Sequence, residues 1–387
     1  MLKIVEITSP EDFRSLHQAW NALLRRSRSN TLFLTWEWLY TWWEIYGARL
    51  KPCILLAQTQ DGELRGIAPL MVTRPLWPLT TPHIQFIGSH SVSSQYLDFI
   101  CSAGFEHDVI SSFLTHLLHS SEPHLLSFFR IPHDSPTVDF LSTHDPRTRI
   151  PLAALRSEDS YYVPLSHCWA TYLSQLGPNT RRNIRRYRHR FEHDLHGSFV
   201  ELHSRPDHWI STLASLHQSR MNSVGKVGSF ASLRFRQFHE RLADRAAHQG
   251  WLRIYLLRVK NDYVAASYGY VYQNKYYAYS MGFDPKYEKH SIGFVLLSYC
   301  FESCSREGVG EIDLLSTGEY KERWGVRARQ KLSLTIGRHR GLDIPLRLRN
   351  TPRIMASCAK RLLPEMIYQK LRNLKQRALI LANRPLR

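Results

Sequence analysis

Long apolar runs are missing from this chain of 387 residues. No window approaches the roughly 18 consecutive apolar residues that a membrane-spanning helix needs. The N-terminal segment has no apolar signal core, because the chain soon reaches Glu11 and Asp12. We therefore expect a cytoplasmic protein without a spanning helix.

Cysteine is scarce, and the common phosphate-loop patterns are absent. The six cysteines are scattered, and Cys300 and Cys304 have no His or second cysteine pair near them at zinc spacing. We predict buried thiols, with no metal site and no disulfide framework. The glycine-containing loop 221–229 has no Walker or dinucleotide pattern, so we do not assign it to phosphate binding.

Acidic residues are too few to balance the basic ones. The 51 Lys and Arg against 33 Asp and Glu give a net charge of +18. This excess predicts an anionic partner, which could be a nucleotide, a nucleic acid, an acidic glycan or an anionic lipid surface. The charge is concentrated in two segments. Six arginines lie between 181 and 190, and residues 346–387 hold eleven Lys or Arg and one acid, Glu365.

The arginine-rich segment is predicted to be an amphipathic helix capped by Asn179 or Thr180. Its apolar stripe consists of Ile184, Tyr187, Phe191 and Leu195. A solvated face is the ordinary explanation of such a charge run, but arginines without an acid repel one another unless an anion is near. We favour anion binding, with Arg181, Arg182 and Arg186 as candidate substrate-binding residues.

The stretch from Tyr263 to Val326 organises the second half of the chain. Two aromatic-rich alternating runs, 264–272 and 276–283, flank a polar turn and predict an antiparallel hairpin. A polar loop follows, and a helix is predicted to begin near Ser291. Its free backbone N–H groups and positive dipole end favour an anion. The residues that would hold a diphosphate there are Lys286, Lys289, His290, Ser291, Ile292 and Gly293, whose missing side chain would let a ligand come close.

Strands and helices alternate along the whole chain, which predicts an α/β (α+β) fold. Residues 52–73 and 251–272 form a weak internal repeat of strand, polar turn and strand, which suggests two related halves. We predict an N-terminal domain over 1–150, a C-terminal domain over 151–345 and a basic helical tail over 346–387. Finer predictions include a strand over 96–100 and a linker or loops over 132–160. A tryptophan-rich helix within 30–46 is expected to be core or a domain interface, and a substrate-stacking platform is the alternative.

Several motifs, taken in order, resemble GNAT-fold acetyltransferases related to the cellulose-biosynthesis protein CelD, and more distantly the Fem-type peptidoglycan-bridge aminoacyltransferases. The matching pieces are Arg181–Arg186, Ala265-Ala266 with Tyr270, Gly282–Tyr287, His290–Leu297, the strand at Asp313, and Tyr320–Gly325. The resemblance implies tandem GNAT-like halves, with mixed central sheets flanked by helices. It also implies acyl transfer from acetyl-CoA or another acyl-CoA to an amine or hydroxyl, without a metal. Of the family's glycine-rich donor motif, only Gly293 is present.

The resemblance implies direct attack of the acceptor on the thioester, between strands 264–272 and 276–283 that would splay apart. Asp313 or a water chain would serve as the base, because neither run contains a carboxylate before Asp284. Tyr270, Tyr279 and Tyr320 are candidates for protonating the thiolate, although strand tyrosines usually serve packing. Lys321, Arg323 and Trp324 are candidate acceptor-binding residues, the alternative being a structural ion pair.

Three functions remain open on the sequence. The first is a CoA-dependent N- or O-acyltransferase acting on a small-molecule, polysaccharide or cell-envelope precursor. The second is a Fem-like transferase that uses aminoacyl-tRNA, which the positive charge would suit. The third is a non-catalytic partner of a polysaccharide synthase at the membrane surface. The tail, residues 346–387, carries an apolar stripe beside basic residues. It could dock on the protein itself, or lie on the anionic inner face of the cell membrane.

Overall fold

The computed structural model describes residues 2–73, 82–119, 124–143 and 152–337. The strands are β1 (Lys3–Ile7), β2 (Lys51–Gln58), β3 (Leu64–Thr73), β4 (His83–Phe86), β5 (Ile100–Cys101), β6 (Leu125–Pro132), β7 (Leu152–Pro164), β8 (Gly197–Leu202), β9 (Leu252–Val259), β10 (Asp262–Tyr272), β11 (Lys275–Phe283), β12 (Glu311–Asp313) and β13 (Arg327–Gly337). The helices are α1 (Pro10–Ser15), α2 (His17–Arg25), α3 (Trp36–Tyr46), α4 (Glu106–Leu118), α5 (Pro136–Thr143), α6 (Trp169–Gln175), α7 (Pro178–His189), α8 (Trp209–Ser223), α9 (Leu233–His248), α10 (Ile292–Arg306) and α11 (Glu319–Glu322). No helix in these ranges is long and apolar enough to cross a membrane. The predicted tail, 346–387, lies outside the described residues.

The described residues form two compact units. The first extends to Glu158 and also includes 330–337, and the second runs from Asp159 to Arg329. Strand order is β1-β2-β3-β4-β6-β13 in the first unit and β8-β9-β10-β11-β12-β7 in the second. The one parallel pair of the first unit's strand order is β4 with β6, and that of the second unit's is β11 with β12. All other neighbouring strands in these two orders are antiparallel. The mixed α/β fold and its two related halves are confirmed.

The hairpin β10–β11 has the tight turn that its sequence predicts. Gln273 and Asn274 both adopt positive φ, at 50° and 59°. Two left-handed residues in succession match the twist of the flanking strands, so the turn fixes the antiparallel register. The two strands remain paired along their length, from the partners Tyr272 and Lys275 beside the turn to the partners Ala265 and Phe283 at the far end. One bulge interrupts the pairing beside Gly269. The predicted separation of these two strands is therefore wrong.

The separation occurs instead between β11 and β12. These parallel strands pair only at Lys275 with Glu311, Tyr276 with Ile312, and Tyr277 with Asp313. Beyond that point β11 continues to Phe283, whereas β12 ends. A parallel pair joined by a loop and a helix has no tight turn to hold its strands together. The second unit therefore has a gap beside residues 278–283 of β11, and Phe283, at the far end of that stretch, lies close to Gly293 of α10.

Helix α3 lies in the core of the first unit, as its tryptophans predict. Trp38 is fully buried, and its indole N–H donates to the Ser94 hydroxyl at 2.8 Å. The Trp36 indole donates to the Phe13 carbonyl at 3.1 Å, which ties α3 to α1. A buried indole N–H needs such a partner. The tryptophan-rich segment is thus core rather than an exposed stacking platform.

Helix α10 is the central element of the second unit's core. Its buried face packs on Tyr255 and Tyr276 of the sheet and on Trp324. Cys300 and Cys304 belong to this face, and burial raises the pKa of Cys304 to about 12. The prediction that these cysteines are buried thiols is confirmed.

Three local predictions need correction. The strand over 96–100 is reduced to β5, because Ser93 and Tyr96 have positive φ and leave extended geometry. The N-cap of α7 is Gly177 rather than Asn179 or Thr180, since Pro178 occupies the first helical position, where its missing N–H costs nothing. The predicted linker contains α5 and β7.

Candidate functional site

The start of α10 lies against the end of β11, where a Cβ at Gly293 would be 3.2 Å from the Phe283 ring. Ser291 adopts left-handed geometry, φ 53°, and its side chain does not cap the helix. Its carbonyl accepts from the amides of Phe294 and Val295 at 2.9 and 3.1 Å. The helix therefore begins abruptly after about two turns of 3-10 helix, Pro285–His290. Such an uncapped N-terminus attracts an anion.

Arginines from three separate elements approach this helix start. Arg186 of α7 donates to the Tyr187 hydroxyl at 3.0 Å, and a hydrogen bond links that hydroxyl to the Ser291 side chain. The other two arginines contact neighbouring rings. Arg220 of α8 lies 5.0 Å from the Phe283 ring, and Arg323 lies 5.8 Å from the Phe294 ring.

The Tyr187 hydroxyl lies among groups that favour its ionised form. The hydrogen bond from Ser291 lowers its pKa, and Arg186 and Arg190 act in the same direction. Cations favour the phenolate because they stabilise negative charge. The same field would stabilise a phosphate group. The sequence suggested Tyr187 only as part of the apolar stripe of α7.

The predicted donor-binding residues are brought together, because all of them lie on one loop and the first turn of α10. Lys286 and Lys289 are exposed, and His290 is half-buried. Glu288, an acid within the same loop, approaches Arg220 at 3.8 Å. That pair is exposed on the Glu288 side, so solvent screens it and an anionic ligand could compete for the arginine.

Gly293 has a structural role that the sequence analysis did not anticipate. A Cβ atom there would lie 3.2 Å from two ring atoms of Phe283 and 3.6 Å from Met281 Cε. The glycine thus lets α10 approach the end of β11. The prediction that Gly293 lets a ligand come close stays a prediction, and a side chain at 293 would also require Phe283 to shift.

Asp313, the candidate base, lies where β11 and β12 separate. Its side chain is fully buried and accepts from the Leu315 amide at 2.8 Å. Arg329 pairs with it at 3.2 Å and with Glu311 at 2.9 Å. The carboxylate is therefore engaged by an amide and a guanidinium, as a structural ion pair would be. Its catalytic role stays a prediction.

Tyr270 and Tyr279 belong to one aromatic cluster against α9. His239 is at its centre, with the Tyr279 ring centroid at 4.7 Å and the Tyr268 hydroxyl bonded to Nδ1. Burial raises the pKa of Tyr270 and lowers that of His239 well below its usual range, so both side chains are neutral. Tyr279 is half-buried at the β11 bulge and is the more accessible of the two tyrosines.

The segment Tyr320–Trp324 divides into exposed and buried residues. Tyr320 is 51% exposed, whereas Lys321 is buried and its ammonium donates to the Leu314 carbonyl at 2.9 Å and to Ser316. Trp324 is fully buried between the rings of Phe294 and Phe301. Lys321 and Trp324 thus support the loop after β12, and Arg323 alone of the three acceptor candidates faces the helix start.

The arginines of α7 also differ in their contacts. Arg181 donates to the carbonyls of Ser174 and Leu176, at 2.9 and 2.7 Å, and so closes the end of α6. Arg182 is exposed and contacts Asn179 at 2.6 Å. Of Arg181, Arg182 and Arg186, only Arg186 is linked to the start of α10. Arg220 was missed, because nothing in its sequence neighbourhood distinguishes it.

One group among the described residues has donor atoms close enough for a metal ion. It comprises Glu201, His203 and Glu307, with ligand atoms within 4.8 Å of one another. Arg253 pairs with Glu307 at 2.7 Å, and Arg306 approaches Glu201 at 3.5 Å. The carboxylates are already neutralised by these cations, so the group is explained as a surface ion-pair network.

Comparisons with known proteins bear on this site. Residues 178–323, which include α7, α8 and α10, match the family model of the acetyltransferase (GNAT) domain. No curated protein matches the chain. Among solved structures, FemX is similar, with a TM-score of 0.61 and 11% identity over 86% of this chain and 96% of that one. L-PGS from Bacillus licheniformis has a TM-score of 0.51 and 15% identity over 90% and 98%. The C-terminal domain of a candidate lysylphosphatidylglycerol synthetase from Agrobacterium fabrum has a TM-score of 0.51 and 10% identity over 89% and 96%.

The chain therefore contains a GNAT acetyltransferase-like domain, and the GNAT part of the resemblance is confirmed. At 10 to 15% identity the three solved structures establish a shared fold and nothing about substrates. The narrower likeness to the CelD-related family stays a prediction.

Proposed function

We propose that the second unit transfers an acyl group from acetyl-CoA or another acyl-CoA to an amine or hydroxyl. The observation that carries this proposal is the convergence of Arg186, Arg220 and Arg323 on the uncapped start of α10. A diphosphate is the group of CoA that suits such a site, since helix amides and guanidinium groups both bind phosphate oxygens.

The gap between β11 and β12 is the proposed channel for the acyl arm. With the diphosphate at Ser291, the thioester would extend along β11 toward its bulge at Ala278–Tyr279. Holding donor and acceptor there would supply most of the rate enhancement through proximity. Tyr279 is the candidate acid for the departing thiolate. A chain of water molecules is the proposed acceptor of the amine proton, and Asp313 is the alternative base.

A binding experiment with two matched variants tests the donor site. Arg186→Gln and Arg182→Gln remove the same charge from the same helix, but only Arg186 is linked to Ser291 through Tyr187. Calorimetric titration with CoA should show about tenfold weaker binding for Arg186→Gln. Arg182→Gln should remain within about twofold of the unchanged protein. Equal affinities for the two variants would contradict the proposed site.

Gly293→Glu is a less specific probe of the same site, because its Cβ would lie 3.2 Å from the Phe283 ring and Phe283 would have to shift whether or not CoA binds there. Arg323→Gln is the better second variant, and it should weaken CoA binding as Arg186→Gln does. Failure of CoA to bind the unchanged protein, together with salt-dependent binding of tRNA, would favour the aminoacyl-tRNA alternative.

The acceptor we propose is a polysaccharide or cell-envelope precursor, in keeping with the CelD-like resemblance. Residues 346–387 would hold the enzyme at the inner face of the membrane through their basic charge. Whether nitrogen or oxygen is acylated would follow from treating the product with hydroxylamine, which cleaves an ester and leaves an amide intact. Mass spectrometry of ligands that co-purify with the protein is the most direct route to donor and acceptor.

A further inference from the structure

An apolar cavity lies in the second unit between α8 and strands β8, β9 and β10. Its volume is about 240 Å³, and the buried side chains of Leu213, Ile254 and Leu256 line it. Protein interiors hold few voids larger than a water molecule, because the atoms that line a void lose dispersion contacts. A cavity of this size therefore favours an apolar group that would fill it.

The cavity reaches the surface of the unit beside an acidic side chain. Two of its lining residues, Asp207 and Tyr263, are exposed. Asp207 is the one charged residue among those that line the cavity, and no lysine or arginine is among them. An apolar partner with basic flanks would therefore match both the cavity and its opening.

The C-terminal segment of the same chain has this combination of residues. Residues 367–381 lie outside the described residues, and their sequence predicts a helix with one apolar stripe, formed by Ile367, Leu371, Leu374, Ala378 and Leu381. Leu371 and Leu374 are three positions apart and so project from one face of a helix. A cavity of 150 Å³ accommodates benzene, so this larger one accommodates about ten non-hydrogen atoms, the size of two leucine side chains.

Charge and chain length both suit this segment. Lys370 and Lys375 flank the two leucines and would be attracted to Asp207. Residues 338–366, which precede the stripe, can span roughly 95 Å when extended, so their length does not keep the stripe from the cavity. Because the segment is tethered, its effective concentration at the cavity is on the order of millimolar.

We propose that this cavity is the docking site of the chain's own segment 367–381, with Leu371 and Leu374 inside it and the flanking lysines beside Asp207. Docking uses the apolar stripe and leaves the remaining basic residues outside, so it is compatible with the membrane contact proposed above. The inference is independent of acyl transfer, because the cavity shares no residue with the donor site.

Hydrogen–deuterium exchange of the full-length protein tests the docking. Leu371→Ser with Leu374→Ser should speed deuterium uptake over 197–202 and 209–213 by at least about threefold, because docking holds these elements against local opening. The matched control, Gln369→Ser with Gln376→Ser, changes the opposite side of the same predicted helix and should leave uptake unchanged. Uptake over β2, in the first unit, should be the same in all three proteins and would show that the fold is intact.

A variant at the opening of the cavity tests the charge contact. Asp207→Asn should speed the same uptake about twofold in low salt and should have no effect in high salt, which screens exposed charges. Uptake should not depend on protein concentration, because the segment and the cavity belong to one chain. Equal uptake in the two double variants would overturn the proposal. Protection that is lost on dilution would also overturn it, since that result assigns the cavity to a second copy of the chain.

Discussion

Asp98 makes the first unit more stable in mild acid. Its side chain is completely buried and accepts hydrogen bonds from the hydroxyls of Ser29 and Thr137 and from the Phe99 amide. Burial outweighs these bonds and raises its pKa from 3.8 to about 6. Above pH 6 the folded protein therefore holds a buried carboxylate that its surroundings do not fully stabilise.

The sign of the pH dependence follows from linkage. Between about pH 6 and 3.8 the folded state binds a proton at Asp98 that the unfolded state does not. The free energy of unfolding should therefore rise as the pH falls through this window, by roughly 1.4 kcal/mol per pH unit and about 3 kcal/mol in all. The contribution is fully present below pH 3.8 and is lost as the pH rises through 6.

Asp98→Asn isolates this contribution, because the amide keeps the shape and cannot ionise. Urea unfolding followed by fluorescence of the buried Trp20 and Trp38 would be measured from pH 7.5 to 4.5. The unchanged protein should gain about 2 kcal/mol relative to the variant over this range. Asp108→Asn, at an exposed position of α4, is the control and should show no such trend. A difference that does not vary with pH would refute the reasoning.

Three further predictions concern packing and the tail. Arg188→Ala should lower the free energy of unfolding by about 1–3 kcal/mol, because Arg188 binds Ser298 at 2.7 Å and pairs with Glu302. The exposed Arg185→Ala should change it by less than about 0.5 kcal/mol, and equal effects in urea unfolding would count against this assignment. Gly282→Ala should unfold the second unit or destabilise it by more than about 2 kcal/mol, since its Cβ would lie 2.3 Å from the His217 backbone nitrogen. Gly177→Ala, where a Cβ meets nothing within 4 Å, loses only the N-cap preference for glycine and should cost less than about 1 kcal/mol in thermal melts. Deletion of 346–387 should reduce flotation with anionic liposomes in low salt and preserve CoA binding, whereas unchanged flotation would remove the membrane proposal.

Local patterns in the sequence determined most of the secondary structure. The alternating runs on either side of Gln273 and Asn274 predicted the hairpin, because side-chain period and turn geometry are properties of neighbouring residues. The amphipathic arginine helix and the loop before α10 were predicted for the same reason. The motifs around these elements also indicated a GNAT-like domain, which the match over 178–323 confirms.

The predicted site was incomplete because its cations come from distant parts of the chain. Arg186 and Arg220 reach the start of α10 only after α7 has packed on α10 and α8 on the sheet. Lys321 and Trp324 appeared suited to bind an acceptor, yet folding buries both of them. Charge and residue type are visible in a sequence, but burial is a property of the assembled core.

The sequence by itself thus determined most of the strands and helices, the basic charge and the class of domain. Tertiary structure alone decided that 330–337 returns to the first unit, that β11 separates from β12 rather than from β10, and that Gly293 serves helix packing. The physical reason is the range of the interactions. Turns and helices follow from residues a few positions apart, whereas strand partners and side-chain neighbours are set by contacts between segments far apart in the chain.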